Sequence, residues 1–539
     1  MHVFRNRTRT RKPARRAAAA VVCGLLAAAA LPATAASASP AGAATAASGS
    51  RVTAPPVPER YRTQRLDWHP CASGPLECAS MAVPRDWYHP DAGPDLRVEV
   101  SRHLATDPAA RRGVLMTAAG GPGASGLGRA ATLAGYGPKL AAAYDIVSFD
   151  QRGVGASTQV VCSDQDKVDA LFSSGDLRDR SPRALARTVE RARDFVRDCE
   201  RNSGGLLPYI TTDQAAHDMD LYRGLLGADR ISYFGASYAT VLGAYYATEF
   251  PGRVERVVLD SNVDFTATWQ SFQLGQPMSF QRRYEQDFLP WLAANDATYH
   301  QGNTPAAAQA SYERLRAALR EHPLDIEGTV ITPNHLDVAA SDSMYNAERF
   351  ASFATLLGVL EHPEQAPAPV RTAVAARLKH PMGAAFVADY FAVTCADTPW
   401  NRSGRFWLEQ SGAATRDDPL VGARVLTFSS ICANWPRTAT ATPPVKVTGA
   451  GLPPVLMLNS TNDPATYYEA AVRAHRGLAG SRLLTVDGGD HGQYQNHNAC
   501  VDGHVEAYLL DGALPAEGTH CPGGPLPVPA PTPAPAQRG

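Results

Sequence analysis

The stretch Ile231-Ser232-Tyr233-Phe234-Gly235-Ala236-Ser237-Tyr238-Ala239-Thr240 decides the fold. Its first four residues are a short apolar run of strand type. The residues from Tyr238 to Phe250 read as a helix that Pro251 stops, and Arg256–Leu259 reads as a further strand. Small residues fill the turn between strand and helix, where the two backbones must pass closely. Upstream, Thr211-Thr212-Asp213-Gln214 matches a capping box. The helix it opens carries Ala215, Met219, Tyr222, Leu225 and Leu226 on one face and stops at Gly227. Val114–Met116 and Tyr144–Phe149 are further apolar runs bounded by Gly-rich turns, as expected for strands covered on both faces. Strand alternating with helix predicts an α/β fold with a mostly parallel sheet and right-handed crossovers.

From Ser261 to about Pro443 the rhythm changes. Ala306–Glu321, with Tyr312, Leu315 and Leu319 on one stripe, and Asn346–Leu360 read as helices, and strand candidates are few. The sheet pattern resumes at Val455–Leu458 and Leu483–Val486. The expected organisation is a first core part over 58–260, a helical cap inserted over 261–443, and a second core part over 444–521.

The two ends read differently. Arg5, Arg7, Arg9, Arg11, Lys12, Arg15 and Arg16 precede an apolar run from Ala17 to Leu31, followed by Ala33-Thr34-Ala35. This is the layout of a secretory signal over 1–35, too short in its apolar part for the ~20 residues of a membrane span. Residues 36–57 are rich in Ala, Ser, Gly and Pro and 522–539 are Pro-rich, and both are expected to be flexible or extended tails. Without residues 1–35, 44 basic and 52 acidic side chains leave a charge of −8. That balance argues against nucleic acid or an anionic membrane as partner. Setting aside Cys23, eight cysteines remain, an even number in a chain marked for export. Pairing neighbours gives Cys71–Cys78, Cys162–Cys199, Cys395–Cys432 and Cys500–Cys521, one choice among the many connectivities eight cysteines allow. None has the close spacing that zinc sites favour.

Three residues carry the chemistry. Ser237 sits on the sharp strand-to-helix turn that a nucleophile needs. A serine hydroxyl requires a general base and a group that orients the base, in the chain order Ser, acid, His. Asp463, in Ser460-Thr461-Asn462-Asp463-Pro464, and His491, in Gly488-Gly489-Asp490-His491-Gly492, each follow a strand and fit. His497, His504, Asp487 and Asp490 are the rivals. Oxyanion donors are expected at the backbone amides of Tyr238 and Gly121, the latter in Gly120-Gly121-Pro122-Gly123; Pro122 has no N–H. Asp150 and Arg152, in the next Gly-rich turn, are read as structural pins rather than catalysts.

These motifs, with Asp463-Pro464-Ala465-Thr466, Cys432-Ala433-Asn434-Trp435-Pro436 and the Cys500/Cys521 pair, resemble secreted actinobacterial tripeptidyl aminopeptidases, relatives of proline iminopeptidases, from about Leu66 to Cys521. Departures are Ala239 for the usual Gly, Ala118-Ala119 before the Gly loop, and Tyr467 where Pro is common. The resemblance implies an α/β-hydrolase fold with an inserted helical cap and Ser237, Asp463 and His491 as triad. It implies no metal or organic cofactor, and as substrates peptides with a free N-terminus, losing tri- or dipeptides. Glu285, Asp287, Asp342 and Glu348 are the cap acids that could meet the substrate ammonium. An esterase or small-amide hydrolase on the same scaffold is the alternative, and an inactive binding protein the third reading.

Overall fold

The computed structural model describes residues 55–72, 74–436 and 445–529. The expected signal, most of the 36–57 segment, the end of the Pro-rich tail and the close of the 261–443 insert lie outside the described residues. Twelve strands are described: β1 (His69–Pro70), β2 (Glu77–Val83), β3 (Leu96–His103), β4 (Gly113–Ala118), β5 (Tyr144–Phe149), β6 (Ile231–Ser237), β7 (Val254–Asn262), β8 (Leu324–Ile326), β9 (Thr329–Ile331), β10 (Val455–Ser460), β11 (Arg482–Asp487) and β12 (His520–Pro522). Ten form one sheet in the order β1-β2-β3-β5-β4-β6-β7-β10-β11-β12, and β8 and β9 pair separately. From β5 through β12 every pairing is parallel. Helices such as Thr212–Leu225, Ala239–Glu249, Tyr468–Gly477 and Ala499–Asp511 make the connections.

The central parallel strands, β4, β6 and β10 among them, are buried along most of their length because helices cover both faces. One apolar cluster centred on Val114, Met116, Met219, Tyr222 and Leu242 fills one side. A second, with Leu115, Ile146, Phe234, Val258 and Leu456, fills the other. The alternation of these residues along β4, β6 and β7 is the period-two signature of a strand. The antiparallel β1–β3 extension and β12 were not anticipated from the sequence. β3 interleaves Arg97, Glu99 and Arg102 with its valines, and β1 and β12 are two and three residues long, too short for a periodic signal.

Thr211 caps its helix as expected, its side chain accepting from the Gln214 amide. The capping box is only half formed. Gln214 turns its side chain to Asp86, to the Trp87 amide and to Arg152 instead of back to the helix start. Arg152 is the reason. Its guanidinium forks onto Asp218 at 2.8 and 2.6 Å and donates to the carbonyls of Pro84, Arg85 and Tyr209. Both partners are sealed from solvent, at 1% and 0% side-chain exposure.

Beyond β7 the chain runs into helices, among them Trp269–Arg283, Pro305–Glu321, Pro333–Met344, Phe350–Glu361, Ala384–Asp397 and Val425–Asn434, with the β8–β9 hairpin between. β7 reaches Asn262, two residues past the expected boundary, and Ala347–Arg349 is a 3₁₀ turn ahead of the helix read as starting at Asn346. The insert has an apolar cluster of its own around Phe288, Trp291, Leu336, Phe350 and Leu357. Four disulfides join Cys71 to Cys78, Cys162 to Cys199, Cys395 to Cys432 and Cys500 to Cys521, the neighbour pairing. The third ties Ala384–Asp397 to Val425–Asn434. Among the described residues no helix is long and apolar enough to cross a membrane.

Asp218→Ala strands a buried guanidinium, and removing one member of such a pair costs about 3–5 kcal/mol. Denaturant unfolding of the variant is expected to show a loss of that size. A change under about 1 kcal/mol would mean that water enters the site.

Candidate active site

Ser237 ends β6 with φ +62°, a left-handed conformation that a non-glycine residue holds only when its surroundings impose it. The surroundings here are backbones in near contact. A Cβ on Gly235 would meet the Ala239 carbonyl at 2.6 Å, and one on Gly120 would come within 3.1 Å of the Ser237 Cβ. The strand-to-helix turn and the Gly-rich loop after β4 are therefore pressed together around the serine. Ala239, at the position where the nucleophile-turn motif usually has glycine, is fully buried and accommodated. Tyr238 follows the serine, and its hydroxyl meets Thr212 Oγ1 at 2.9 Å; Thr212 in turn donates to Asp397, which also accepts from Trp269 Nε1. Asp397 and Trp269 belong to the insert, so the turn is braced from outside the sheet.

The Gly loop is fixed by Asp150. One carboxylate oxygen accepts from Ser125 Oγ and the Gly126 and Leu127 amides, the other from the Ala156 amide. Asp150 and Arg152 thus hold turns, as the sequence suggests. Gly121 has φ +115°, open to glycine alone in practice.

Asp463 and His491 meet. His491 Nδ1 lies 3.1 and 3.0 Å from the two Asp463 oxygens, and the carboxylate is completely buried. Asp463 also accepts from the Ala465 and Thr466 amides and from Thr466 Oγ1. Thr466 Oγ1 stands 3.2 Å from His491 Nδ1 as well, so it closes a three-membered cluster that the sequence reading quoted as a motif without giving the threonine a task. With Nδ1 directed at the carboxylate, the Nδ1–H tautomer leaves Nε2 as the basic nitrogen. Burial alone would lower the imidazole pKa, but the charge and hydrogen bond of Asp463, aided by Asp260, outweigh it and the net direction is upward.

Asp260 is a second residue that the sequence reading passed over, although Leu259-Asp260-Ser261-Asn262 is a polar run directly after an apolar strand. It is buried and accepts from the Gln493 and Tyr494 amides, while Ser261 Oγ accepts from the Gly492 amide. The end of β7 therefore anchors the loop that carries His491. Burial pushes the Asp260 carboxyl up to about 6 against those two amides. From the insert, the Tyr345 carbonyl accepts from the His491 amide at 2.8 Å and its ring packs edge-on against the imidazole at 5.2 Å. The rivals are engaged elsewhere. Asp490 binds Arg283 and the Ala347 amide, Asp487 faces His520, and His497 packs on Tyr136. His504 lies with Cys500 and Cys521 within 4.8 Å, but those cysteines share a disulfide and offer no thiolate to a metal.

Ser237, Gly120, Gly121, Thr466 and His491 line one cavity of about 780 Å³, inside the ~300–1,000 Å³ span of small-ligand sites. Its roof comes from the insert, with Trp269, Phe272, Phe280, Tyr345, Phe386, Tyr390 and Phe428 making it largely aromatic. Of the four insert acids singled out in the sequence, only Asp342 lines it. Glu285 bonds to Gln281, and Asp287 pairs with Arg283 and Asn462.

The TAP-like protein family model matches residues 418–521. The chain is 35% identical over 479 residues to the tripeptidyl aminopeptidase of Streptomyces coelicolor, covering 85% of this chain and 86% of that protein. It is 30% identical to serine protease Hip1 of Mycobacterium tuberculosis, over 85% and 91% of the two chains. Carboxylesterase B of the same organism is also 30% identical, over 82% and 86%.

NMR titration of the His491 ring is expected to give a pKa above the ordinary imidazole value of 6.5. The imidazole is then cationic below that raised value and free to accept a proton above it. Asp463→Asn removes the largest raising influence and leaves burial opposed by Asp260 alone, so the pKa should fall. An unchanged titration in the variant would separate the two groups.

Proposed function

The chain belongs to the tripeptidyl aminopeptidase family of α/β hydrolases, and on that footing we propose that it is an exported serine exopeptidase that removes short N-terminal fragments from peptides. The observation that carries this reading is the Asp463–His491 contact on the wall of the cavity that Ser237 shares. In the proposed reaction Ser237 Oγ attacks the scissile carbonyl while His491 Nε2 takes its proton, and Asp463 holds the tautomer and offsets the imidazolium charge. Thr466 keeps the carboxylate from rotating. The Gly121 and Tyr238 amides receive the developing oxyanion, each such donor being worth about 2.7–4 kcal/mol of transition-state stabilisation. His491 then protonates the leaving amine, and water, activated by the same base, releases the acyl fragment.

An exopeptidase must also stop the substrate at its amino end. The insert roofs the cavity, and Asp342 is its carboxylate, already near Arg349 at 2.9 Å and Arg377 at 3.4 Å. We assign the substrate ammonium to Asp342. Export is supported by the four disulfides, which persist in oxidising compartments. The aromatic roof also suits an ester with an apolar acyl group, and this second reading is decided by the same experiment.

Tripeptide anilides with a free amino end are expected to turn over at least about tenfold faster than their acetylated counterparts and to outpace simple aryl esters. Equal turnover of free and acetylated peptides would overturn the aminopeptidase reading; faster ester turnover would favour the esterase. Asp342→Asn should raise KM for the free-amine peptides and leave the acetylated ones unchanged. Ser237→Ala should abolish fluorophosphonate labelling and lower kcat by about 10⁵-fold or more.

A further inference from the structure

The charges on the cavity wall are lopsided. Beside the single acid Asp342 stand Arg129, Arg349 and Arg424. Two of these cations are occupied: Arg349 pairs with Asp342, and Arg129 donates to Gln495 Oε1 at 3.3 Å. Arg424, which precedes the helix Val425–Asn434, has neither a hydrogen bond nor an ion pair for its guanidinium among the described residues. The carboxylate that influences it, Asp337, is held by Arg316 at 3.0 Å and Arg178 at 2.7 Å. The remaining groups acting on Arg424 are the hydroxyls of Tyr345, Tyr312 and Tyr390.

Two of those tyrosines flank the site. Tyr345 packs on the His491 ring. Tyr390 packs on Phe386, whose ring edge lies 3.2 Å from where a Gly121 Cβ would be. Arg424 shares the cavity wall with both tyrosines. Burial is the largest influence on this partly exposed side chain and drives its pKa down, the direction expected for a cation partly withdrawn from water. A guanidinium in that state presents a planar fork of donors matched to a carboxylate.

We propose that Arg424 is a specificity-determining residue that anchors a carboxylate carried by the substrate, completing its ion pair only when the cavity is filled. The proposal rests on the reading of the substrate as a peptide and adds the class of peptide selected. The carboxylate has two sources of one chemistry, an Asp or Glu side chain close to the scissile bond, or the free C-terminal carboxylate of a short peptide. The ammonium at Asp342 and the carboxylate at Arg424 would then be held by opposite charges of the same wall.

The test is calorimetric binding to the full chain carrying Ser237→Ala, so that no turnover is needed and a failed aminopeptidase assay leaves the result readable. The probes are tetrapeptides with Glu or Gln at each position in turn, each with a free or an amidated C-terminus. A Glu-over-Gln preference of about tenfold or more at one position identifies the side-chain source; a free-acid-over-amide preference of that size identifies the C-terminal source. Either preference should vanish on adding Arg424→Gln, with the neutral peptides bound within about twofold of before, and return in part with Arg424→Lys. The proposal is overturned if carboxylate and amide peptides bind alike, or fail alike to bind, in the Arg424-containing protein. It is equally overturned if the preference survives Arg424→Gln, or if that variant weakens neutral and charged peptides equally.

Discussion

A serine held at φ +62° is the constraint from which the rest of the site follows. Such a backbone costs on the order of 1–3 kcal/mol and persists only where the surrounding structure over-determines it. Three bodies press on it here: strand β6, the helix after it and the Gly loop after β4. Each needs its own fixing. The loop is held by the Asp150 carboxylate, the helix start by the Tyr238–Thr212–Asp397 chain, and the strand by its parallel neighbours β4 and β7. The buried Arg152–Asp218 pair fastens the neighbouring turn to the helix that carries Thr212. Polar groups buried at such density are stable only when every one is matched, which explains why so many carboxylates under this site accept backbone amides.

The His491 imidazole is positioned by the same kind of over-determination from a different direction. Asp260 and Ser261 at the end of β7 hold the amides that follow His491, and Tyr345 of the insert holds the amide of His491 itself. The imidazole is thus suspended between sheet and insert. Its orientation depends on both, although its acid partner belongs to the loop after β10 alone.

Much of this was legible in the chain. The parallel core showed because its central strands are buried on both faces and therefore read as short, mostly apolar runs, Tyr144–Phe149 and Val455–Leu458 among them. Ser237 showed because small residues must flank a turn where two backbones touch. Asp463 and His491 showed because each directly follows a strand, in the required order. The rest depends on contacts that sequence spacing does not encode. Thr466 matters through a hydroxyl that bridges Asp463 and His491, and Asp260 through amides more than 230 positions away. Gln214 completes the capping-box pattern in sequence, yet Arg152 and the backbone of Trp87 compete for its side chain and win. Among the acids of the insert, only the fold could separate Asp342, on the cavity wall, from Asp287, committed to Arg283.

The roof of the cavity is shared between two cores: Phe280 belongs to the insert's own apolar cluster around Phe288, Leu336 and Phe350, with Tyr345 packed against it, whereas Trp269, Phe272, Phe386, Tyr390 and Phe428 belong to or pack against the cluster that holds Tyr238 and Ala239. Substitutions at Trp269 or Phe272 therefore disturb packing that the serine turn shares, and Trp269 touches the Tyr238 ring directly, whereas Phe280 lies in packing that the turn does not share. Selectivity and turnover are in this sense unevenly coupled: a lineage that remodels the Phe280 side of the roof can change what it admits while sparing the serine turn, whereas changes at Trp269 or Phe386 reach the turn or the Gly loop as well.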